Sequence, residues 1–319
     1  MNALGLIFEP LQRLVGIKGM PYLFVIPNLA LFIIFAIIPI LLNLVYAFTG
    51  GTSLFPANRP FIGLQNFSVL LSCDNFLDPN SCLVDLFWRG VMNTGVYVIV
   101  EVSSLILLAL FTALVLNRNI RARGFFRGVY FYPTLLSSVV VALLWKWVLQ
   151  RNGLINGALE GVGMPTINFL FEADWARLAT IIVGLWASLG FYTLIILAGL
   201  QAIPALLYEA AVIDGASRRQ QFQYITLPLL RPTLYIVFIL SFVGAVQVFE
   251  HAMVLTDGGP GTATSYIMHF VYNAAFAGIA GGRNVGLATA ATLLVAVVLV
   301  AFTLVQRWIS RNASDDYST

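Results

Sequence analysis

Long runs almost free of formal charge dominate this sequence, and no other feature limits its fold as tightly. A helix needs about 20 apolar residues to cross the hydrocarbon core of a bilayer, where every backbone N–H and C=O must be satisfied within the segment. Runs of that kind cover Tyr22–Phe48, Val91–Leu116, Val129–Leu149, Leu178–Leu200, Thr233–Leu255 and Val285–Trp308. Hydrophobic residues fill 60% of the 319 positions and charged residues 10%, against roughly 45–50% and 25% in soluble domains. The expectation is an all-α integral membrane protein of six spans. A net charge of +3 is too small to imply nucleic acid as a partner. The chain carries no phosphate-binding glycine loop, nucleophile elbow or metal-ligand motif, so catalytic, cofactor and metal sites are not expected on it.

Arginine and lysine set the orientation. Eleven lie before the first span or after the second, fourth and sixth, including Arg118, Arg121, Arg123, Arg127, Arg218 and Arg219; the opposite loops hold five, Arg59, Arg89, Arg151, Arg177 and Arg283. This bias predicts both termini in the cytoplasm, together with the loop between the fourth and fifth spans. Residues 1–20 pair Leu4, Ile7, Phe8, Leu11 and Leu14 with Arg13 and Lys18, the pattern of a short amphipathic helix on the membrane surface. The first span lacks a cleavage-site pattern and is expected to stay as a span. Residues 21–312 then form the membrane domain, and 313–319 a tail.

The loop at residues 202–232 is the polar interruption with the most local structure. Pro204 suits the first position of a helix, where its missing N–H costs nothing. That helix would carry Glu209, Ala210 and Ala211 and end at Gly215, which takes the left-handed conformation without strain. Ser217 with Gln220 forms a capping-box pattern for a second helix from Arg218 to about Tyr224, ended by Pro228. Ala210, Ala211, Gly215 and Ala216 are small enough for close approach, with Glu209, Asp214, Arg218 and Arg219 to make the contact polar. From spacing alone, a docking knob and a loop packed on its own bundle both fit.

Glu209-Ala210-Ala211, Gly215, Ile225 and Leu227-Pro228, at their spacing here, resemble the signature loop of the membrane subunits of bacterial binding-protein-dependent ABC importers. The resemblance implies a six-span type I importer permease whose coupling helix docks on an ATPase subunit. It assigns that role to Glu209, Ala210, Ala211, Asp214, Gly215, Ala216, Leu227 and Pro228. Thr256-Asp257-Gly258-Gly259-Pro260, with Thr262 and Thr264, resembles a loop of the carbohydrate-uptake branch, the maltose and glycerol-phosphate type; its exposed amides would touch a sugar or the binding protein. Implied partners are a second homologous permease, two ATPase subunits that bind ATP and magnesium, an extracytoplasmic solute-binding protein and a carbohydrate solute in the bacterial inner membrane. The chain would form half of the translocation pathway and hydrolyse nothing itself. Basic residues such as those of Asn117–Arg127 would also attract membrane lipid.

Two other readings keep parts of this evidence: a proton-coupled secondary transporter using Glu101 and Glu250, and an ABC permease for a non-sugar solute. Glu101 sits in the middle of the second span, where an acid costs about 2.5–3.5 kcal/mol. It must therefore face protein or water, as a hydrogen-bonded anchor between helices or as a contact in the translocation path. Lys146 is expected to snorkel.

A sugar in a membrane cavity needs aromatic faces and hydrogen-bonding groups. Positions matching the substrate contacts of maltose-type relatives are Gly184, Ser188, Phe191, Ser241, Gly244, Ala245 and Val248. Several are small or aliphatic, which leaves two expectations: a wide passage, or contacts taken over by Trp186, Tyr192, Gln247 and Glu250. His251 is read as solvating the outer end of the fifth span. In the first outer loop Cys73 and Cys82 form the two ends of an acidic decapeptide. An oxidising compartment favours a disulfide there, free thiols being the alternative; the spacing of Asp74, Asn75, Asp78 and Asn80 does not match a calcium loop.

Overall fold

The computed structural model describes residues 16, 18–53, 55–118, 121–278 and 282–315, with the side chains of 308–315 left aside. Most of the expected amphipathic segment 1–20, and the last four residues of the tail, lie outside the described residues. Regular structure among the described residues is helical, with isolated bridges pairing Thr49 with Phe61 and Cys73 with Cys82. In chain order the helices are α1 Met20–Ala47, α2 Gln65–Leu71, α3 Asp85–Asn117, α4 Arg123–Phe131, α5 Ser138–Leu149, α6 Leu154–Gly161, α7 Ala173–Gln201, α8 Ala205–Ile213, α9 Arg218–Val246, α10 Glu250–Thr256, α11 Ile267–Ala277 and α12 Val285–Asp315.

Five of these, α1, α3, α7, α9 and α12, are long and apolar enough to cross a membrane; the arms Arg123–Leu135 and Ser138–Gly161, bent by 100°, make a sixth if counted as one span. This bend corrects the expectation of a straight third span over Val129–Leu149. Pro133 has no N–H to donate into the preceding turn, and its ring excludes a continuing α-helix. The chain tightens to a 3-10 turn over Tyr132–Leu135 and runs extended through Leu136 and Ser137 before α5 begins. At Pro39 in α1 the helix widens instead, with a π turn at Ile33–Ile37 before the proline.

The chain divides into two compact units, one of residues up to Val69 with Ala274–Val295, the other of Leu70–Asn273 with the chain from Ala296 onward. In the first, Arg59 is buried; its Nε donates to Thr49 Oγ1 at 2.9 Å and its guanidinium lies 5.2 Å from the Tyr46 ring centroid. Asn66 Nδ2 donates to the Ala47 carbonyl at 2.8 Å, closing the turn that follows α1.

The second unit is built on α3 against α7, with α9 packed on both. Leu105, Ala109, Ala113 and Leu116 form one stripe of α3 and meet Tyr192, Ile196, Leu197 and Leu200 of α7 and Leu230 and Val237 of α9. Ala109 and Ala113 are fully buried, and small residues let helix backbones approach where lipid gives no hydrophobic drive for association. Thr112 and Thr193 share a hydrogen bond of 2.8 Å across the α3–α7 seam. Gly190 allows the closest approach: a methyl group there would overlap the Tyr130 carbonyl.

Three further expectations are revised. The fifth span is not one helix to Leu255, because α9 ends at Val246 and helix resumes as α10 at Glu250, after Phe249 at φ −151°, ψ −65°. The second helix of the 202–232 loop does not stop at Pro228. A π turn over Phe222–Thr226 accommodates the proline's missing donor, and the helix runs on into the fifth span. Lys146 does more than reach toward water, since its Nζ donates to the Val254 carbonyl in the last turn of α10 at 3.0 Å, where a cation suits the helix C-terminus.

Candidate functional site

The loop between α7 and α9 forms a helix-turn-helix from local rules. Pro204 caps α8 from just outside, one residue earlier than expected, with an extended ψ of 129°. At the other end Gly215 takes φ +76°. The Ala216 N–H then reaches the Ala211 carbonyl at 2.8 Å and the Gly215 N–H the Val212 carbonyl at 3.1 Å, the paired bonds of a Schellman stop. Ser217 follows with a reciprocal capping box: the Gln220 N–H donates to Ser217 Oγ at 3.4 Å and the Ser217 N–H to Gln220 Oε1 at 2.8 Å. Tyr208 and Thr226 close the elbow through their hydroxyls at 2.9 Å.

Of the eight residues singled out here, Glu209, Ala210, Asp214 and Gly215 are exposed, Ala216, Leu227 and Pro228 are half-buried, and Ala211 is buried against the elbow. The exposed face is less polar than expected. Leu206 is 72% exposed and Ile213 86%, and with Glu209 and Ala210 they follow the i, i+3, i+4, i+7 spacing of one helical stripe. Apolar residues exposed at that density mark a contact surface. The sequence shows them plainly, but beside two spans they read as membrane-facing.

α3, α7 and α9 also enclose a cavity of about 310 Å³, the lower end of the range for small-molecule sites, about 300–1,000 Å³. Tyr97, Glu101 and Leu105 line it from successive turns of α3; Gly184, Ser188, Phe191 and Tyr192 from α7; Ser241, Gly244 and Ala245 from α9. Thr134 and Ser138 enter from the bend of the third span, and Val248 and His251 from beyond the end of α9.

All seven positions matched to maltose-type relatives therefore lie on one wall system, and Tyr192 joins them. Trp186, Gln247 and Glu250 do not. Trp186 meets Trp145 edge-on at 5.8 Å. Gln247 and Glu250 are exposed on either side of the helix break, off the face that Ser241 and Gly244 present. His251, expected to be solvated, instead shares a hydrogen bond of 3.3 Å with Tyr97 Oη. Gly184 makes room for this pair, because a methyl group there would collide with the tyrosine oxygen.

Glu101 is 6% exposed, and its Oε2 has no hydrogen-bond partner among the described residues. The interhelical anchor weighed for it is not what the structure contains; its carboxyl faces the cavity. The Thr256–Thr264 loop is likewise turned inward. Thr256 and Thr264 bond each other at 2.7 Å, Thr264 Oγ1 donates to the Gly259 carbonyl at 2.7 Å, and Asn93 of α3 holds the loop by donating to the Thr262 carbonyl at 2.7 Å. The hydroxyls of Thr256 and Thr264 are thus engaged within the protein. Cys73 and Cys82 are joined, with S–S 2.06 Å. Between them Asn75 and Asp78 accept from the N–H groups of Leu77 and Asn80 at 3.0 Å each.

Residues 105–315 match the family model described as binding-protein-dependent transport system inner membrane component. The chain is 34% identical over 295 residues to the trehalose/maltose transport system permease protein MalF of Thermococcus litoralis, covering 92% of this chain and 94% of that one. It is 32% identical to the lactose transport system permease protein LacF of Rhizobium radiobacter, covering 83% and 86%. A chain from the crystal structure of a bacterial ABC transporter involved in the import of the acidic polysaccharide alginate superposes with a TM-score of 0.78 at 26% identity, over 95% of this chain and 99% of that one. On the family match and these identities, the chain belongs to the family of binding-protein-dependent transport system inner membrane components.

Proposed function

We infer that the chain forms half of the translocation pathway of an ATP-driven importer for a carbohydrate. The observation that carries this reading is mechanical: α7 and α9, which both line the cavity, are the two helices joined by the Glu209–Pro228 elbow. A displacement of α8 moves both walls at once. Relatives named for trehalose, maltose and lactose permeases support the solute class, and a related structure contains an alginate pentasaccharide-bound periplasmic protein.

On this reading an ATPase subunit binds the stripe of Leu206, Glu209, Ala210 and Ile213, and a second permease completes the cavity. A solute-binding protein delivers the sugar at the opposite side. The excess of arginine and lysine puts the elbow and both termini in the cytoplasm. ATP and magnesium belong to the ATPases. Nucleotide-driven closure draws the elbows together and opens the cavity outward, and hydrolysis reverses this. Phe191 and Tyr192, edge-to-face at 5.2 Å, offer the aromatic surface a sugar ring packs on.

The test is to purify the chain with its partners, reconstitute the complex in vesicles and follow uptake of labelled maltose, trehalose and lactose. ATP-dependent uptake that persists in the presence of an uncoupler is expected. Uptake driven by a proton gradient, with no ATPase in the complex, would refute the reading in favour of a secondary transporter.

A further inference from the structure

The carboxylate in the cavity bears on which sugars can pass. Glu101 lies midway along α3, with Tyr97 and Leu105 one turn to either side on the same face. Its side chain is buried, and no group among the described residues bonds Oε2. A buried polar group without a partner is costly and uncommon in folded proteins, so what satisfies this one must come from the contents of the cavity.

Three hydroxyls of the wall are committed as donors. Ser188 Oγ donates to the Gly184 carbonyl at 2.7 Å, Thr134 Oγ1 to the Ala187 carbonyl at 3.1 Å, and Ser241 Oγ to the Phe238 carbonyl at 3.2 Å. Each of these oxygens keeps lone pairs free to accept, while the hydroxyls of Ser138 and Tyr192, also in the lining, can donate or accept. No lysine or arginine is among the lining residues, and the Nε2 of His251 is occupied by Tyr97. This chain's wall therefore presents neutral hydroxyls and one carboxyl, with no cation of its own to balance an incoming anion.

Resting on the carbohydrate reading above, the geometry points to Glu101 as the residue that sets the solute class: it accepts hydrogen bonds from the hydroxyls of a neutral sugar unit and rejects uronic acids. A sugar hydroxyl carries the donor that the Glu101 carboxyl lacks. A uronate would place a second carboxyl beside the first in a site of low polarity, where no lysine or arginine of this wall offsets the charge it carries in. The structurally similar transporter imports an acidic polysaccharide, so a permease of this shape does not exclude acidic solutes by fold. Exclusion here is a property of this wall.

Two measurements on the assembled importer test the proposal: equilibrium binding of labelled saccharides to the complex in nanodiscs, and uptake into vesicles. The probes are maltose, trehalose and lactose as neutral saccharides, and digalacturonate and an alginate trisaccharide as acidic ones. The wild-type complex is expected to bind and import at least one neutral probe and neither acidic one. Glu101→Gln should weaken binding of the imported neutral probe by about tenfold or more, the range for a hydrogen bond to a charged group, and should relieve the exclusion of digalacturonate. Glu101→Asp, which keeps the charge, should keep the exclusion even if its shorter side chain weakens binding, and a thermal melt of each variant separates recognition from misfolding. A neutral probe bound equally well by wild type and a folded Glu101→Gln variant would remove Glu101 from recognition and leave the carbohydrate reading intact. Import of the acidic probes by wild type would overturn the proposed class. Failure to import any saccharide would overturn the carbohydrate reading and this proposal with it.

Discussion

Replacing Gly215 isolates the contribution of the turn to coupling, because the structure removes the usual confounding effects. A Cβ built at this position meets nothing within 4 Å, so a substitution adds no steric clash, and the residue is exposed, so it alters no core packing. What remains is the backbone cost of φ +76°. An L-residue in the left-handed region costs about 1–2 kcal/mol relative to glycine, with alanine at the lower end and a β-branched residue at the upper end or beyond. A penalty of about 2 kcal/mol shifts the population of the intact turn by roughly 30-fold. The shifted population lacks the Ala216–Ala211 and Gly215–Val212 bonds, so α8 is no longer held rigidly to α9. Asparagine, which tolerates this conformation, should cost little.

Solute-stimulated ATPase activity and uptake by the reconstituted importer should therefore fall in the order Gly, Asn, Ala, Val, with Gly215→Val losing most of its uptake. Membrane insertion should be unchanged, and any fall in the melting temperature of the permease should correspond to no more than the strain of the turn, about 2 kcal/mol. Wild-type coupling in Gly215→Val, or an asparagine variant as impaired as the valine variant, would refute the argument that a rigid stop between α8 and α9 transmits the stroke.

Other perturbations report on separate parts of the molecule. Ile213→Glu places a charge on the exposed stripe of α8, and the ATPase should dissociate from the purified complex while the melting temperature of the permease is unchanged; retention of a full complement of ATPase would show that the stripe is not the docking face. Gly190→Ala forces a methyl group against the Tyr130 carbonyl, and overpacking of this kind costs about 1–3 kcal/mol, visible as a lower melting temperature in detergent. Cys73→Ser with Cys82→Ser opens a loop of sequence separation 9, for which chain entropy gives a loss of about 2.5–3 kcal/mol; the thermal melt of the double variant should match that of reduced wild type.

The elbow was legible because each of its parts follows from neighbours in sequence. Pro204, Gly215 and the pair Ser217 and Gln220 act within one helical turn, and the structure forms the turn and both caps where those residues predict them. Pro228 was misjudged because a proline can be met in two ways, by ending a helix or by widening it to a π turn. Which of them occurs depends on packing around Thr226 and Leu230, both buried, and the sequence does not display that packing. The same limit applies to the spans. Hydropathy locates apolar segments, but it carries no information about a 100° bend between Leu135 and Ser138 or a break after Val246.

The bend of the third span brings Thr134 and Ser138 to the cavity, but helical spacing decides most of the remaining wall. On α9 and its continuation Ser241, Gly244, Val248 and His251 fall within one face at about 100° per residue, while Glu250 lies opposite Ser241 and Gln247 lies off that face; depth in the span, which favoured these two polar residues, does not report the face they occupy. Glu101 sits on an uninterrupted 33-residue helix, where the same spacing places it in line with Tyr97 and Leu105. A polar residue in a span is thus a dependable guide to a cavity only when it shares a helical face with the other lining residues. By that criterion Glu101, and not Glu250, is the acid whose replacement should change which solute this permease carries.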